Sequence, residues 1–117
     1  MAYNWLTAPG AGGYDNYDSP DLRNFTLNEW HHIAVVVKRI SYIRFYFDGV
    51  LRGQILPAHL GSLANSSTLR IGANGSDNPS ATGFFKGALD ELDLFNRALT
   101  TAEVQAIYSA TQGGKCK

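Results

Sequence analysis

Side chains able to do chemistry fall into a few groups along this 117-residue chain. Tyr14 and Tyr17 alternate with Asp15, Asn16 and Asp18 inside the Gly- and Pro-rich stretch APGAGGYDNYDSPDLRN. A flat ring stacks on a pyranose while carboxylates and amides take its hydroxyls, and the same residues also serve a loop that packs and caps its own turns. Asn74, Asp77 and Asn78 lie in a second polar stretch, ANGSDNPSATG, whose side-chain oxygens suit sugar hydroxyls and hard cations alike. Calcium is possible there, but Asp77 is a single carboxylate and a further ligand would have to come from elsewhere in the chain. His31 and His32 are adjacent, so in an extended backbone they point to opposite faces and do not chelate one ion together. They read as structural histidines. Glu91 and Asp93 sit on the polar side of an alternating stretch and read as solvated surface charge.

The element that must position these groups is EWHHIAVVVKRISYIRFYFDGVLRG. Residues 33–37 form an unbroken apolar run dense in β-branched residues, read as a strand covered on both faces. Residues 43–47 form a second strand. Asp48-Gly49 then supplies the two positive-φ positions of a type I′ hairpin turn before Val50-Leu51 runs back. Alternation places Trp30, His32, Ala34 and Val36 on one face, with Trp30 as a core anchor, and His31, Ile33, Val35 and Val37 on the other. The turn Lys38-Arg39-Ile40-Ser41 is less well specified, lacking Gly, Asn and Pro.

Further strands are expected at residues 2–6, 69–72 and 84–95, with both polar stretches as surface loops at sheet ends. In the last strand Asp90 shares a face with Leu92 and Leu94, so it heads inward or sits at the strand mouth, paired with backbone amides. One helix is signalled. Thr100 and Glu103 form a capping box, Leu99 can staple onto Val104, Ala106, Ile107 and Ala110 continue the register, and Gly113-Gly114 ends it. Such a helix most simply covers a sheet end or edge.

Composition narrows the function. Ten basic residues balance ten acidic ones, leaving no long-range field to gather phosphates, so neither nucleic acid nor an anionic membrane is an expected partner. Cys116 is the single cysteine, which rules out an internal disulfide and a thiolate metal site. No apolar run approaches the length of a membrane span or of a signal peptide. Twelve glycines point to many turns, and the expectation is one all-β domain over residues 1–117.

The phrases WHHIAVVV, FYFDGVLRG, LRIGAN, FFKGALDELDLFNRALTTAEVQAIY and GGKC resemble the laminin-G-like, or concanavalin A-like, jelly-roll family of lectin and glucanase domains, from about Phe25 to Cys116. The most specific part is the tail, a Gly-x-Leu-Asp-Glu strand, then Asn96-Arg97-Ala98-Leu99, then the capped helix. The resemblance implies a two-sheet antiparallel β-sandwich with one short C-terminal helix. It also implies an accessory module of secreted or surface proteins that binds carbohydrate or protein, often with calcium. The family's opening strands are mostly missing before Trp30, and unpaired edges would be repaired by self-association, so a homodimer or larger oligomer is expected.

The same jelly roll hosts glucanases whose catalytic strand reads Glu-x-Asp-x-(x)-Glu. Glu91-Leu92-Asp93-Leu94-Phe95-Asn96 comes close, but Asn96 stands where the last carboxyl belongs. Retaining glycoside cleavage needs two carboxyls about 5 Å apart, and an amide supplies no proton. No Gly-x-Ser-x-Gly, HExxH or phosphate loop suggests another chemistry. The expectation is a non-catalytic lectin-like module that binds carbohydrate or glycoprotein through Tyr14, Asp15, Tyr17, Asp18, Asn74, Asp77 and Asn78. The alternative is a structural module for self-assembly without a small ligand.

Overall fold

The structure is a computed structural model that describes residues 3–7, 14–18, 26–57, 69, 71–73 and 83–112. The chain divides into two compact units, Met1–Leu63 with Phe95–Lys117, and Ala64–Leu94. Among its described residues the first contains five strands, β1 (Tyr3–Thr7), β2 (Tyr14–Asp18), β3 (Ile33–Lys38), β4 (Tyr42–Phe47) and β5 (Val50–Ile55), and one helix, α1 (Thr101–Gln112). β1 pairs antiparallel with β2, and β3, β4 and β5 form an antiparallel meander with β4 in the middle. The described elements are mostly sheet with one short helix.

Two turns build the meander. Ser41 N donates to Lys38 O at 2.8 Å, closing the β3–β4 turn. Asp48 and Gly49 adopt φ of 49° and 72°, the positive-φ pair that the Asp-Gly dipeptide predicts. Past that turn, Tyr46 pairs with Leu51 but Phe45 pairs with Gly53, so Arg52 is the extra residue of a β-bulge. Its guanidinium lies 5.9 Å from the Phe47 ring centroid.

Burial centres on β4. On one face Val36 and Tyr46 pack with Leu99 and Val104, supported by Ala34, Tyr42, Ala98 and Ile107. On the other, Ile43 and Phe45 are buried with Val37 and Ile55 packed against them. Each fully buried aliphatic side chain contributes roughly 1.5–3 kcal/mol. Only Val36 of β3 is buried, while Ile33 and Val35 are 47% and 37% exposed. The strand covered on both faces is thus β4, flanked on each side, rather than residues 33–37.

Helix α1 is tied down as its sequence requires. Thr100 N donates to Glu103 Oε2 at 2.7 Å, and Glu103 N donates to Thr100 Oγ1 at 3.2 Å, completing the capping box. Arg97 adds a forked contact to the same carboxylate, at 2.6 and 3.0 Å. Leu99 and Val104 share one buried cluster, so the hydrophobic staple forms. Tyr46 OH and Thr101 Oγ1 are 3.0 Å apart, giving the buried phenol a partner at the helix start.

Several expectations are corrected. Residues 14–18 are strand β2, not a loop, because they pair in register with β1, Tyr14 opposite Thr7 and Asp18 opposite Tyr3. Trp30 is 70% exposed, since β3 begins only at Ile33 and the strand alternation does not reach back to it. The helix covers a sheet face at Val36 and Tyr46, not an end or edge. Ala106 and Ala110 lie on its exposed side, while Val104 is buried and Ile107 and Tyr108 are half-buried.

In the second unit, described residues 69, 71–73 and 83–94 contain no strand. Phe85 N donates to Gly72 O at 2.7 Å. Glu91 then turns to a φ of 51°, which ends an extended ladder. Asp90 is exposed rather than inward, although its Oδ1 accepts the Glu91 amide at 2.8 Å. Gly113-Gly114 and residues 74–82, expected as a loop, lie outside the described residues.

Two predictions follow from these contacts. A Cβ on Gly49 would lie 2.9 Å from Tyr108 Cδ1, on a backbone already at positive φ. Gly49→Ala should therefore cost at least ~1–2 kcal/mol in urea denaturation, and less in a Tyr108→Ala background, where the ring is gone and the backbone strain and the 3.2 Å approach to the Cβ of residue 108 remain. At α1, hydrogen bonds from Arg97 and then Thr100 hold the Glu103 carboxyl down at about 2. A depressed carboxylate stabilises the fold above its ordinary value near 4.5 and loses that contribution as pH falls through about 2. Melting curves of Glu103→Gln should show a lower midpoint than wild type at neutral pH and a smaller difference in acid.

Candidate functional site

The residues expected to grip a ligand are only partly placed. Tyr14, Asp15, Tyr17 and Asp18 are four of the five positions of β2, with Asn16 between the pairs, and successive strand positions belong to alternate faces. They do not form one loop grip. Asn74, Asp77 and Asn78 lie outside the described residues. Glu91, Asp93 and Asn96 are exposed. No group of three or more His, Cys, Asp or Glu side chains placed to hold a metal ion occurs among the described residues.

The most developed polar constellation in the first unit surrounds His31. Asp48 reaches back from the β4–β5 turn with both carboxylate oxygens. Oδ1 accepts the His32 backbone N–H at 2.9 Å, and Oδ2 lies 2.9 Å from His31 Nδ1. A carboxylate only accepts, so Nδ1 donates. The Asp48 N–H in turn donates to His32 O at 2.8 Å. On the far side of the ring, His31 Nε2 is 3.1 Å from Thr26 O and 2.8 Å from Thr26 Oγ1. Thr26 Oγ1 also donates to Glu29 Oε2 at 2.8 Å.

With its side chain only 8% exposed, His31 also packs on Phe47, ring centroids 4.7 Å apart. His32 turns the other way, its ring 6.0 Å from Tyr108 of α1. The two imidazoles therefore part to opposite sides, although both precede the start of β3 at Ile33. The hydrogen bond to Asp48 raises the His31 pKa above 6.5 against the opposing desolvation, helped by the Thr26 carbonyl and by the charges of Asp48 and Glu29. This carboxylate–imidazole contact escaped the sequence reading because Asp48 was assigned only its turn. The signal that could have found it is the hairpin register, which sets Phe47 opposite Ile33 and so returns Asp48 to the histidines.

A second surface was also missed. Tyr42, Arg44 and Tyr46 alternate onto one face of β4. Arg44 stacks over the Tyr42 ring at 3.9 Å and donates from Nε to Gln54 Oε1 at 2.7 Å, directly across the β4–β5 ladder. This ledge presents a ring, a guanidinium and an amide beside the helix-covered core, groups able to meet a polyhydroxylated or peptide ligand.

Among the described residues, antiparallel hairpins with a capped helix against a sheet face fit a concanavalin A-like fold. A family model described as the Concanavalin A-like lectin/glucanases superfamily matches residues 2–105, and the chain belongs to that superfamily. The match begins well before Phe25, so the kinship includes the β1–β2 hairpin. Among solved structures, a domain of an S-layer domain-containing protein from Clostridium thermocellum is similar, with a TM-score of 0.59 and 24% identity over 89% of this chain. The chain spans about half of that structure, 49%. No curated protein matches.

The Asp48–His31 contact carries a pH dependence. A raised histidine pKa gives stability that is complete below the ordinary value of 6.5 and is lost as pH rises through the folded-state value. Thermal melts between about pH 5 and 8 should show wild type losing an increment that His31→Gln lacks throughout that range. Equal pH slopes in the two proteins would mean that the contact contributes nothing to folding.

Proposed function

We propose that this domain is a non-catalytic, lectin-like binding module for carbohydrate or glycoprotein. Its membership of the lectin and glucanase superfamily over residues 2–105 carries the reading. The Tyr42–Arg44–Gln54 ledge supports it with a stacked ring and polar groups on an accessible sheet face. Tyr14, Asp15, Tyr17 and Asp18 on β2, together with Asn74, Asp77 and Asn78, are the proposed ligand residues. Asp77 with a carboxylate from elsewhere is the proposed calcium position. In the complete jelly roll a second antiparallel layer closes over the meander.

The glucanase reaction is not part of this reading. Asn96 stands where the last carboxyl of the resembled glucanase strand belongs, and Glu91 and Asp93 are both exposed, without the close pair of carboxyls that retaining cleavage needs.

A second reading, self-assembly through protein contact, draws on the apolar side chains left open. Leu27, Trp30, Ile40 and Leu56 in the first unit, and Phe84 and Leu92 in the second, are all exposed. Such surface marks contact with another chain when it is contiguous, and a homo-oligomer is the proposed form. The similarity to an S-layer domain-containing protein suits a structural role.

Glycan-array binding that weakens at least about tenfold, ~1.4 kcal/mol, in Tyr17→Ala or Arg44→Ala is the expected outcome for the lectin reading. Calcium involvement should appear as a lower melting midpoint in chelator. No glycan signal together with a multimer by light scattering would replace it with the assembly reading.

A further inference from the structure

The ring of His31 stands between two acceptors, the Asp48 carboxylate at Nδ1 and the Thr26 carbonyl at Nε2. Only the imidazolium, with a proton on each nitrogen, donates to both. In that state Thr26 Oγ1 has no acceptor to serve on the ring, and its hydrogen goes to Glu29 Oε2 at 2.8 Å. Loss of one proton changes the assignment. A lone pair at Nδ1 would face a carboxylate, so the proton that leaves to water is the one on Nε2. The Nε2 lone pair then faces Thr26 Oγ1 at 2.8 Å, and the hydroxyl has a second place to donate.

We propose that Thr26 Oγ1–H is a two-position switch driven by the protonation of His31, bonded to Glu29 when the ring is charged and to His31 Nε2 when the ring is neutral. In the neutral state Glu29 loses its donor, and the turn carrying it loosens from its anchor. Leu27 and Trp30 are exposed on that same segment, and Asn28 at its centre holds a φ of 66°. The switch therefore moves an apolar tip by a change of charge one side chain away. Among the described residues, the groups facing His31 include Asp48 from the β4–β5 turn, Thr26 and Glu29 from its own segment and the Phe47 ring from β4. Among the described residues, Arg52 on β5 brings a cation to 5.9 Å from the Phe47 ring centroid. This inference is independent of the ligand of the domain, because it concerns one hydroxyl and its two acceptors.

Side-chain NMR of the full chain across the His31 titration tests it. The expected result is deprotonation at Nε2, with the Glu29 carboxylate carbon and the Trp30 indole N–H shifting at the same midpoint. In T26V His31 should still titrate while the Glu29 and Trp30 responses disappear, and T26S should restore them. Deprotonation at Nδ1, flat Glu29 and Trp30 signals through the His31 midpoint, or responses that persist in T26V would each overturn the proposal. Should T26V fail to fold, the wild-type titration decides by itself.

Discussion

The Asp48-Gly49 turn is the constraint on which the first unit depends. Both residues hold positive φ, a conformation that costs an ordinary residue about 1–2 kcal/mol and is tolerated by Asp and Gly. That geometry does more than reverse the chain. It aims the Asp48 carboxylate at the backbone of His32 and the ring of His31, and it brings the bare Cα of Gly49 under the Tyr108 ring. One two-residue turn thus joins the meander to the segment before β3 and to α1. Asn in place of Asp48 would keep the turn and the amide acceptor but would remove the charge that favours the imidazolium.

The middle strand divides the work of burial. Tyr46 fills the layer under α1 and passes its hydroxyl to Thr101, so the helix start is located by a polar bond at the edge of an apolar contact. Ile43 and Phe45 fill the opposite face. Beyond the helix, the same face of β4 continues outward as Tyr42 and Arg44, where the side chains are half-buried and polar. The rigid, buried half of the strand therefore positions the accessible half, which is how a sheet can hold a binding surface without a deep pocket.

Signals with a local cause were legible in the sequence. The Asp-Gly turn, the Thr100–Glu103 box and the Leu99–Val104 staple each depend on residues a few positions apart, and each forms. The opposed directions of His31 and His32 match the expectation for adjacent residues of extended chain, even though β3 itself begins only at Ile33. Features set by distant partners were not legible. Trp30 resembles a core anchor by type, but its burial depends on where β3 begins. Tyr14 to Asp18 look like a loop by composition, and their strand character comes from pairing with β1. Arg97 joins the cap because the preceding chain curls back, which no capping rule specifies. For the proposed ligand residues, the sequence could supply suitable chemistry but not convergence, because convergence is a property of the whole sheet.

The segment 84–95 shows the same distinction from the other side. Phe84-Phe85, Leu89, Leu92 and Leu94 recur as a strand would place them, yet the described backbone there is irregular and these side chains are exposed. Apolar periodicity records which face a residue type favours, whereas a strand also needs a neighbour to take its amides and carbonyls. Ile33 and Val35 present a similar pattern on β3, paired along one edge but still half open on their outer face. Each stretch, within its own unit, carries apolar residues spaced for a covering layer, and their exposure there follows from backbone pairing, or its lack, rather than from the apolar pattern itself.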